Sequence, residues 1–172
     1  MSSLSPDVLV RSATADDLRR INDIYNHYVV HSIATFDIEP ITLELRGEWF
    51  SHYSTSGSHR LLIAEDDGRV VGYASSSPFR PRAAYSTSVE TSVYMDPDRL
   101  GLGIGSLLYE QLFDGLKGED LHRAYAAISL PNDASVSLHE RFGFVKVGEY
   151  TEVGRKFGRY WDVALYEKPL DG

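Results

Sequence analysis

The sequence has no cysteine, no excess of basic residues and no long apolar run. Without cysteine there can be no disulfide framework, thiolate metal site or cysteine nucleophile, and such a chain suits a reducing cytoplasm. The 17 Lys and Arg stand against 25 Asp and Glu, a net charge of -8. Nucleic acid demands clustered Lys and Arg, so it is not expected as a partner. Any anionic ligand has to be held locally, by backbone N–H groups and a few placed cations. No apolar stretch approaches a membrane span, and the segment Met1–Asp7 has neither the basic start nor the apolar run of a signal peptide. The expectation is a cytoplasmic protein without a membrane partner.

What is present is enough for a full hydrophobic core. The 172 residues read as one domain, 1–172, with neither repeat nor low-complexity linker. Val8-Leu9-Val10-Arg11 reads as a first strand. Thr14 to Asp17 opens a helix in which Leu18, Ile21, Ile24, Tyr25, Tyr28 and Val29 recur at helical spacing. A second helix is expected over Thr42–Tyr53, with Leu45, Trp49 and Phe50 on its apolar face. Arg60 to Pro78 reads as a hairpin turning at Asp66-Asp67-Gly68. A strand over Thr87–Met95, a helix over Ser106–Leu116 with Leu107, Leu108, Leu112 and Phe113 as its apolar set, and a strand over Arg123–Leu130 follow. A short helix capped at Pro131-Asn132-Asp133 runs to Phe142, and strands over 144–153 and 160–167 turn at Phe157-Gly158. The strand–helix–strand unit from Glu90 to Leu130 implies a parallel pair. The fold class expected is therefore α/β (α+β), a mixed sheet flanked by helices.

The most telling stretch is Arg99-Leu100-Gly101-Leu102-Gly103-Ile104-Gly105-Ser106, between a strand and a helix. Alternating glycines let backbone approach a bulky ligand, and at a helix start several N–H donors converge with the helix dipole on one point. That is a phosphate cradle, although a tight turn packed on the sheet would use glycines too. A P-loop is excluded, because Gly105 is followed by Ser106-Leu107 and not by Lys then Ser or Thr. A dinucleotide fingerprint belongs on a first strand, and this loop comes late, after a hairpin.

Leu100-Gly101-Leu102-Gly103-Ile104-Gly105 resembles the pyrophosphate-binding signature of the Gcn5-related N-acetyltransferases (GNAT): Gln or Arg, two variable residues, Gly, a variable residue, then Gly or Ala. Leu100 departs from it, standing where Gln or Arg is usual. Asn132-Asp133-Ala134-Ser135-Val136-Ser137-Leu138-His139, followed by Gly143-Phe144, is similar to the family's second motif. Four further stretches resemble its phosphinothricin and methionine-sulfone acetyltransferase branch. They are Ile24–Tyr28 with Phe36, Pro78–Tyr85, Glu90–Tyr94 and Lys156–Val163. The likeness runs from about Val10 to Tyr166. It implies a mostly antiparallel central sheet with a splayed parallel strand pair at the cofactor site. It also implies acetyl-CoA as cosubstrate, a small-molecule amine as acceptor, and a homodimer.

Site residues follow from both sources. Glu90 is the candidate general base: an acid mid-strand among Ser88, Val89, Thr91 and Ser92 has to face solvent or a cleft, and the family carries an acid there. The resemblance assigns backbone contacts with the acetyl and pantetheine groups to Ser92, Val93 and Tyr94. It assigns the pyrophosphate to Leu100, Gly101, Leu102, Gly103, Ile104, Gly105 and Ser106, and a CoA contact to Asn132, also a good helix cap. His139 stands where relatives carry a Tyr that protonates the departing thiolate; it is a candidate acid or a packed helix histidine. Arg80 and Arg82 are paired guanidinium groups suited to a carboxylate or phosphinate, or solvated surface residues. Phe36 and Tyr85 are candidate walls of the acceptor pocket. No metal is expected: His27 and His31 are four apart, but no third ligand accompanies them. Acetylation of a polyamine or protein amine, and a CoA-binding regulatory module without turnover, remain as alternatives.

Overall fold

The computed structural model describes residues 8–170. Seven strands form one sheet: β1 (Leu9–Ser12), β2 (Leu61–Asp66), β3 (Arg69–Pro78), β4 (Ser88–Met95), β5 (Arg123–Leu130), β6 (Val145–Lys156) and β7 (Arg159–Pro169). Their order across the sheet is β1-β2-β3-β4-β5-β7-β6. Only β4 and β5 are parallel. Helices α1 (Leu18–His31), α2 (Leu43–Phe50), α3 (Ile104–Leu116) and α4 (Asp133–Arg141) complete the order expected from the sequence. Among the described residues no helix is long and apolar enough to cross a membrane.

The two faces of the sheet are covered by different helices. On one, α1 and α2 pack Ile21 and Ile24 on Leu61, Ile63 and Tyr73, with Trp49 and Phe50 alongside. On the other, α3 packs Ile104, Leu108, Tyr109, Leu112 and Leu116 on Val71, Val89 and Ala124. Each fully buried aliphatic side chain contributes about 1.5–3 kcal/mol. Two sequence expectations fail in detail. Leu45 is half exposed, and Arg46 takes the inward position on α2. Its guanidinium lies 4.5 Å from the ring centroids of both Tyr25 and Trp49, and Nε donates to Asn22. A buried cation between aromatic faces reads as polar in the sequence and packs as core. On α3 the inward set is shifted: Ile104 and Tyr109 are buried and Leu107 is only partly so. The helix begins two residues earlier than its apolar pattern suggests.

The sheet is not continuous through its centre. The β4–β5 ladder has three rungs, Ser88 with Arg123, Val89 with Ala124 and Glu90 with Tyr125. On the outer sides pairing continues, from β4 to β3 as far as Met95 with Gly72, and from β5 to β7 as far as Leu130 with Asp162. Beyond Glu90 and Tyr125 the two strands therefore diverge into a wedge.

The chain leaves β4 under tight control. Asp96 is buried; its carboxylate accepts from Arg20, from Arg69 at 3.3 Å and from the Asp98 N–H at 3.1 Å. Arg99 pairs with buried Asp66 at 2.9 Å. These contacts aim the glycine loop. Asp96→Ala leaves two guanidinium groups without their carboxylate. It is expected to lower unfolding free energy by about 2–4 kcal/mol, read as a fall in the urea midpoint at unchanged m-value.

Candidate active site

The glycine loop is built as expected for an anion cradle. Gly101 and Gly103 have φ of 76° and 79°, left-handed values that other residues resist. Gly103 is the N-cap of α3 and offers no side chain to its first turn. The first helical bond runs from Leu107 N–H to the Gly103 carbonyl at 3.1 Å, so the N–H groups of Ile104, Gly105 and Ser106 point forward along the helix dipole. Leu102 is partly buried beside the α3 core, and Leu100 is more than half exposed. Arg99, its neighbour, is committed to Asp66. A cation reaches the cradle from elsewhere: Arg141 of α4 donates to the Ser106 hydroxyl at 3.0 Å. It lies outside every glycine-loop pattern and was not among the sequence candidates.

Side chains alternate along β4. Val89, Thr91, Val93 and Met95 belong to the α3 face, while Glu90, Ser92 and Tyr94 share the α1 face. Ser92 contacts the Ser75 hydroxyl at 2.9 Å, and Tyr94 stacks on Tyr73. Glu90 is exposed at the wedge, yet surrounding protein raises its pKa by desolvation, with the charge of Arg80 acting the other way. Arg80, Pro81, Arg82 and Tyr85 line a cavity of about 240 Å³. Phe79 packs edge-on against Tyr85 and stacks on Tyr125 at 4.2 Å, which ties this loop to the last rung of the β4–β5 ladder. Glu90 stands on that rung, with Arg80 near enough for its charge to act on the carboxyl, while Arg80 and Arg82 are both exposed.

Asn132 is the N-cap of α4; its side-chain oxygen accepts from the Ser135 N–H at 3.2 Å, and its amide N–H₂ remains as the donor for a ligand. His139 does not stand free in the wedge. It is buried, with Nδ1 2.7 Å from the Ser135 carbonyl and Nε2 2.8 Å from the Tyr109 hydroxyl. A carbonyl can only accept, so Nδ1 carries the proton and neutral His139 accepts from Tyr109. Burial lowers its pKa, with the Ser135 bond opposing. Both ring nitrogens are engaged within the protein, leaving none for direct proton donation in this arrangement. Tyr109 in turn stands 3.3 Å from Thr91 Oγ1, beside the last rung. The Tyr109–Thr91 link was not legible in the sequence, because Tyr109 sits on an apolar helix face where an aromatic reads as core. His27 and His31 lie with ring centroids 4.9 Å apart, and among the described residues no cluster of three metal-binding side chains occurs.

A family model described as an acetyltransferase (GNAT) domain matches residues 10–165. The chain belongs to the GNAT acetyltransferase family. It is 56% identical to a phosphinothricin N-acetyltransferase of Streptomyces coelicolor, over 95% of this chain and 97% of the relative. It is 36% identical to an L-methionine sulfoximine/L-methionine sulfone acetyltransferase of Pseudomonas aeruginosa, over 94% of each. Among solved structures, a GNAT superfamily phosphinothricin acetyltransferase from Sinorhizobium meliloti in complex with acetyl-CoA superposes with a TM-score of 0.90. It is 34% identical, with 95% of this chain and 88% of that one covered. The wedge, the glycine loop and the capped α4 are thus a GNAT framework, and the mixed sheet expected from the sequence is the one observed.

Glu90 is the candidate base of this GNAT site, and a base acts only once deprotonated. With its pKa raised, Glu90 gains the proton-accepting form at a higher pH than an ordinary glutamate. The acid limb of kcat/KM is expected above the usual carboxylate range of about 4.3. Glu90→Gln should remove that limb and lower kcat by at least about 100-fold, measured by thiol release across pH. Full activity of Glu90→Gln at neutral pH would eliminate Glu90 as the base.

Proposed function

We propose that this protein transfers the acetyl group of acetyl-CoA to the α-amine of a small amino acid or analogue of the phosphinothricin and methionine-sulfone type, in the cytoplasm, with Glu90 as general base. The observation that carries the reading is the wedge that opens after Glu90, with that carboxylate on its last rung, paired guanidinium groups on the loop before β4 and a helix start with forward-pointing N–H groups. The names of the relatives support the same acceptor class.

The residues present fit acetyl-CoA. The pyrophosphate matches the N–H groups of Ile104, Gly105 and Ser106, with Arg141 adding charge beside Ser106. The unpaired inner edge of β4 beyond Glu90 offers backbone groups of Ser92, Val93 and Tyr94 to the pantetheine amides and the acetyl carbonyl. Asn132 supplies an amide donor from α4. When bound, acetyl-CoA brings an activated thioester carbonyl. Glu90 takes a proton from the acceptor ammonium, directly or through one water, and makes the amine nucleophilic. Arg80 and Arg82 hold the acceptor's carboxylate or phosphinate in a bidentate manner, with Phe36 and Tyr85 as walls. Engagement of His139 within the protein fits a role in packing α4 on Tyr109 better than one in donating a proton to the leaving thiolate.

Twin arginines repel a polycation, which weighs against polyamine acceptors. The decisive measurement offers acetyl-CoA with amino acids, phosphinothricin, methionine sulfone and spermidine. Turnover is expected on the carboxylate-bearing amines. Turnover on spermidine alone would sink the acceptor class, and acetyl-CoA binding without turnover on any amine would favour a regulatory module. Replacement of Arg80 or Arg82 by Ala should raise KM for the amine by about tenfold or more while KM for acetyl-CoA stays nearly constant.

We infer a homodimer as well. Edge strand β6, its turn and the start of β7 expose Val145, Val147, Tyr150, Val153, Phe157 and Tyr160, apolar side chains of the kind that copies of one chain cover. Sedimentation at micromolar concentration should give twice the chain mass of 19.3 kDa; a monomer would refute it.

A further inference from the structure

Lys156, at the end of β6, is buried to 5% exposure. Its ammonium donates to the Thr35 carbonyl at 2.8 Å and lies 3.4 Å from the Tyr28 carbonyl. Among the described residues no carboxylate forms an ion pair with it. Burial pulls its pKa down from the ordinary lysine range, and the charge of Asp37 opposes this. An apolar side chain in this place would avoid the desolvation cost of a cation, so the contact serves the backbone it holds.

That backbone is the segment from Ser32 to Asp37. The Ser129 hydroxyl of β5 donates to the Ile33 carbonyl. The Tyr94 hydroxyl of β4 donates to the Ala34 carbonyl at 3.2 Å. Consecutive carbonyls are thus fixed to the two strands that diverge, and the segment crosses the wedge on the face that carries Glu90. Lys156 holds the next carbonyl. Phe36, the residue after, packs directly on Gly154: a Cβ there would stand 2.1 Å from the ring.

The rest of the Lys156–Asp162 stretch serves the same clamp. Trp161 Nε1 donates to the Lys156 carbonyl at 2.9 Å, and Asp162 accepts from the Glu152 N–H at 2.6 Å where β6 bulges.

We propose that Lys156 is a positioning residue for the acceptor amine: it fixes the segment 32–37 across the wedge and so sets Phe36, seated on Gly154, as the wall facing the Glu90 side of the site. The inference rests on the acceptor-site reading above. It assigns the hairpin turn of β6 and β7 a role in acceptor binding, separate from the acetyl-CoA cradle on α3.

Lys156→Met keeps length and removes the donors. Its KM for the amine is expected to rise about tenfold, with KM for acetyl-CoA within about twofold and kcat little changed. That corresponds to about 1.4 kcal/mol of lost acceptor binding. Calorimetric titration of the amine into the CoA-bound protein should show the same loss without turnover. Lys156→Arg should recover part of it, since a guanidinium can donate to both carbonyls. Gly154→Ala displaces the Phe36 ring without touching Lys156 and should reproduce the amine-specific rise. It keeps the test alive if Lys156→Met fails to fold. Equal rises in both KM values, or amine affinity unchanged in Lys156→Met and Gly154→Ala, would overturn the proposal while leaving the functional reading intact. Absence of amine turnover by the parent chain would instead overturn that reading.

Discussion

The early end of the β4–β5 ladder is the constraint around which the molecule is arranged. A sheet interior normally pairs every backbone group, because an unpaired buried N–H or C=O is costly. Here two central strands stop pairing after three rungs and leave facing edges open. Side chains satisfy what the ladder does not: Tyr28 donates to the Met95 carbonyl at 2.7 Å, and Thr91 Oγ1 lies 3.5 Å from the Tyr125 carbonyl at the last rung. Helices on both faces then supply the walls. The α1 side brings the 32–37 segment across the opening, and the α3 side brings the glycine loop to one mouth of it. Remove the divergence and no cleft remains for Glu90 to face.

Charge is deployed against the same opening. The chain is acidic overall, yet the groups suited to an anion are gathered at two places. At one, Arg141 lies beside Ser106 at the α3 start. At the other, Arg80 and Arg82 line one small cavity. Arg99, nearest the glycines in sequence, is not part of either, because Asp66 already holds it. Proximity in sequence was a poor guide to which cation lies at the α3 start; Arg141, the last residue of α4 and two residues before Gly143, is the one that reaches Ser106.

Local signals made most of the fold legible. Asp67-Gly68 and Phe157-Gly158 take left-handed φ values, as the hairpin turns demand, and Asn132 caps α4 through its own side chain. These depend on neighbours along the chain, so a single sequence carries them. What escaped was long-range. Arg46 is inward because Tyr25 and Trp49 flank it, and Lys156 is inward because carbonyls over a hundred residues earlier need a donor. Nothing local distinguishes either from a surface cation. The Glu90 strand could be read because an acid in that setting conflicts with strand burial; His139 could not, because a histidine fits both a cleft and a core.

Hydrogen-bond direction bears on that last ambiguity. The Ser135 carbonyl fixes the proton on Nδ1, leaving Nε2 of the neutral ring as an acceptor. Tyr109, buried and with its pKa raised by desolvation, stays protonated and donates to it. The Tyr109 hydroxyl also lies 3.3 Å from Thr91 Oγ1, whose own proton points to the Tyr125 carbonyl. These contacts therefore run from the last rung of the ladder into α4. A proton donor to the cleft would have to break this chain at His139 first. The geometry thus favours α4 as a support for the wedge, capped by Asn132 at one end and bonded through Arg141 to Ser106 of α3 at the other.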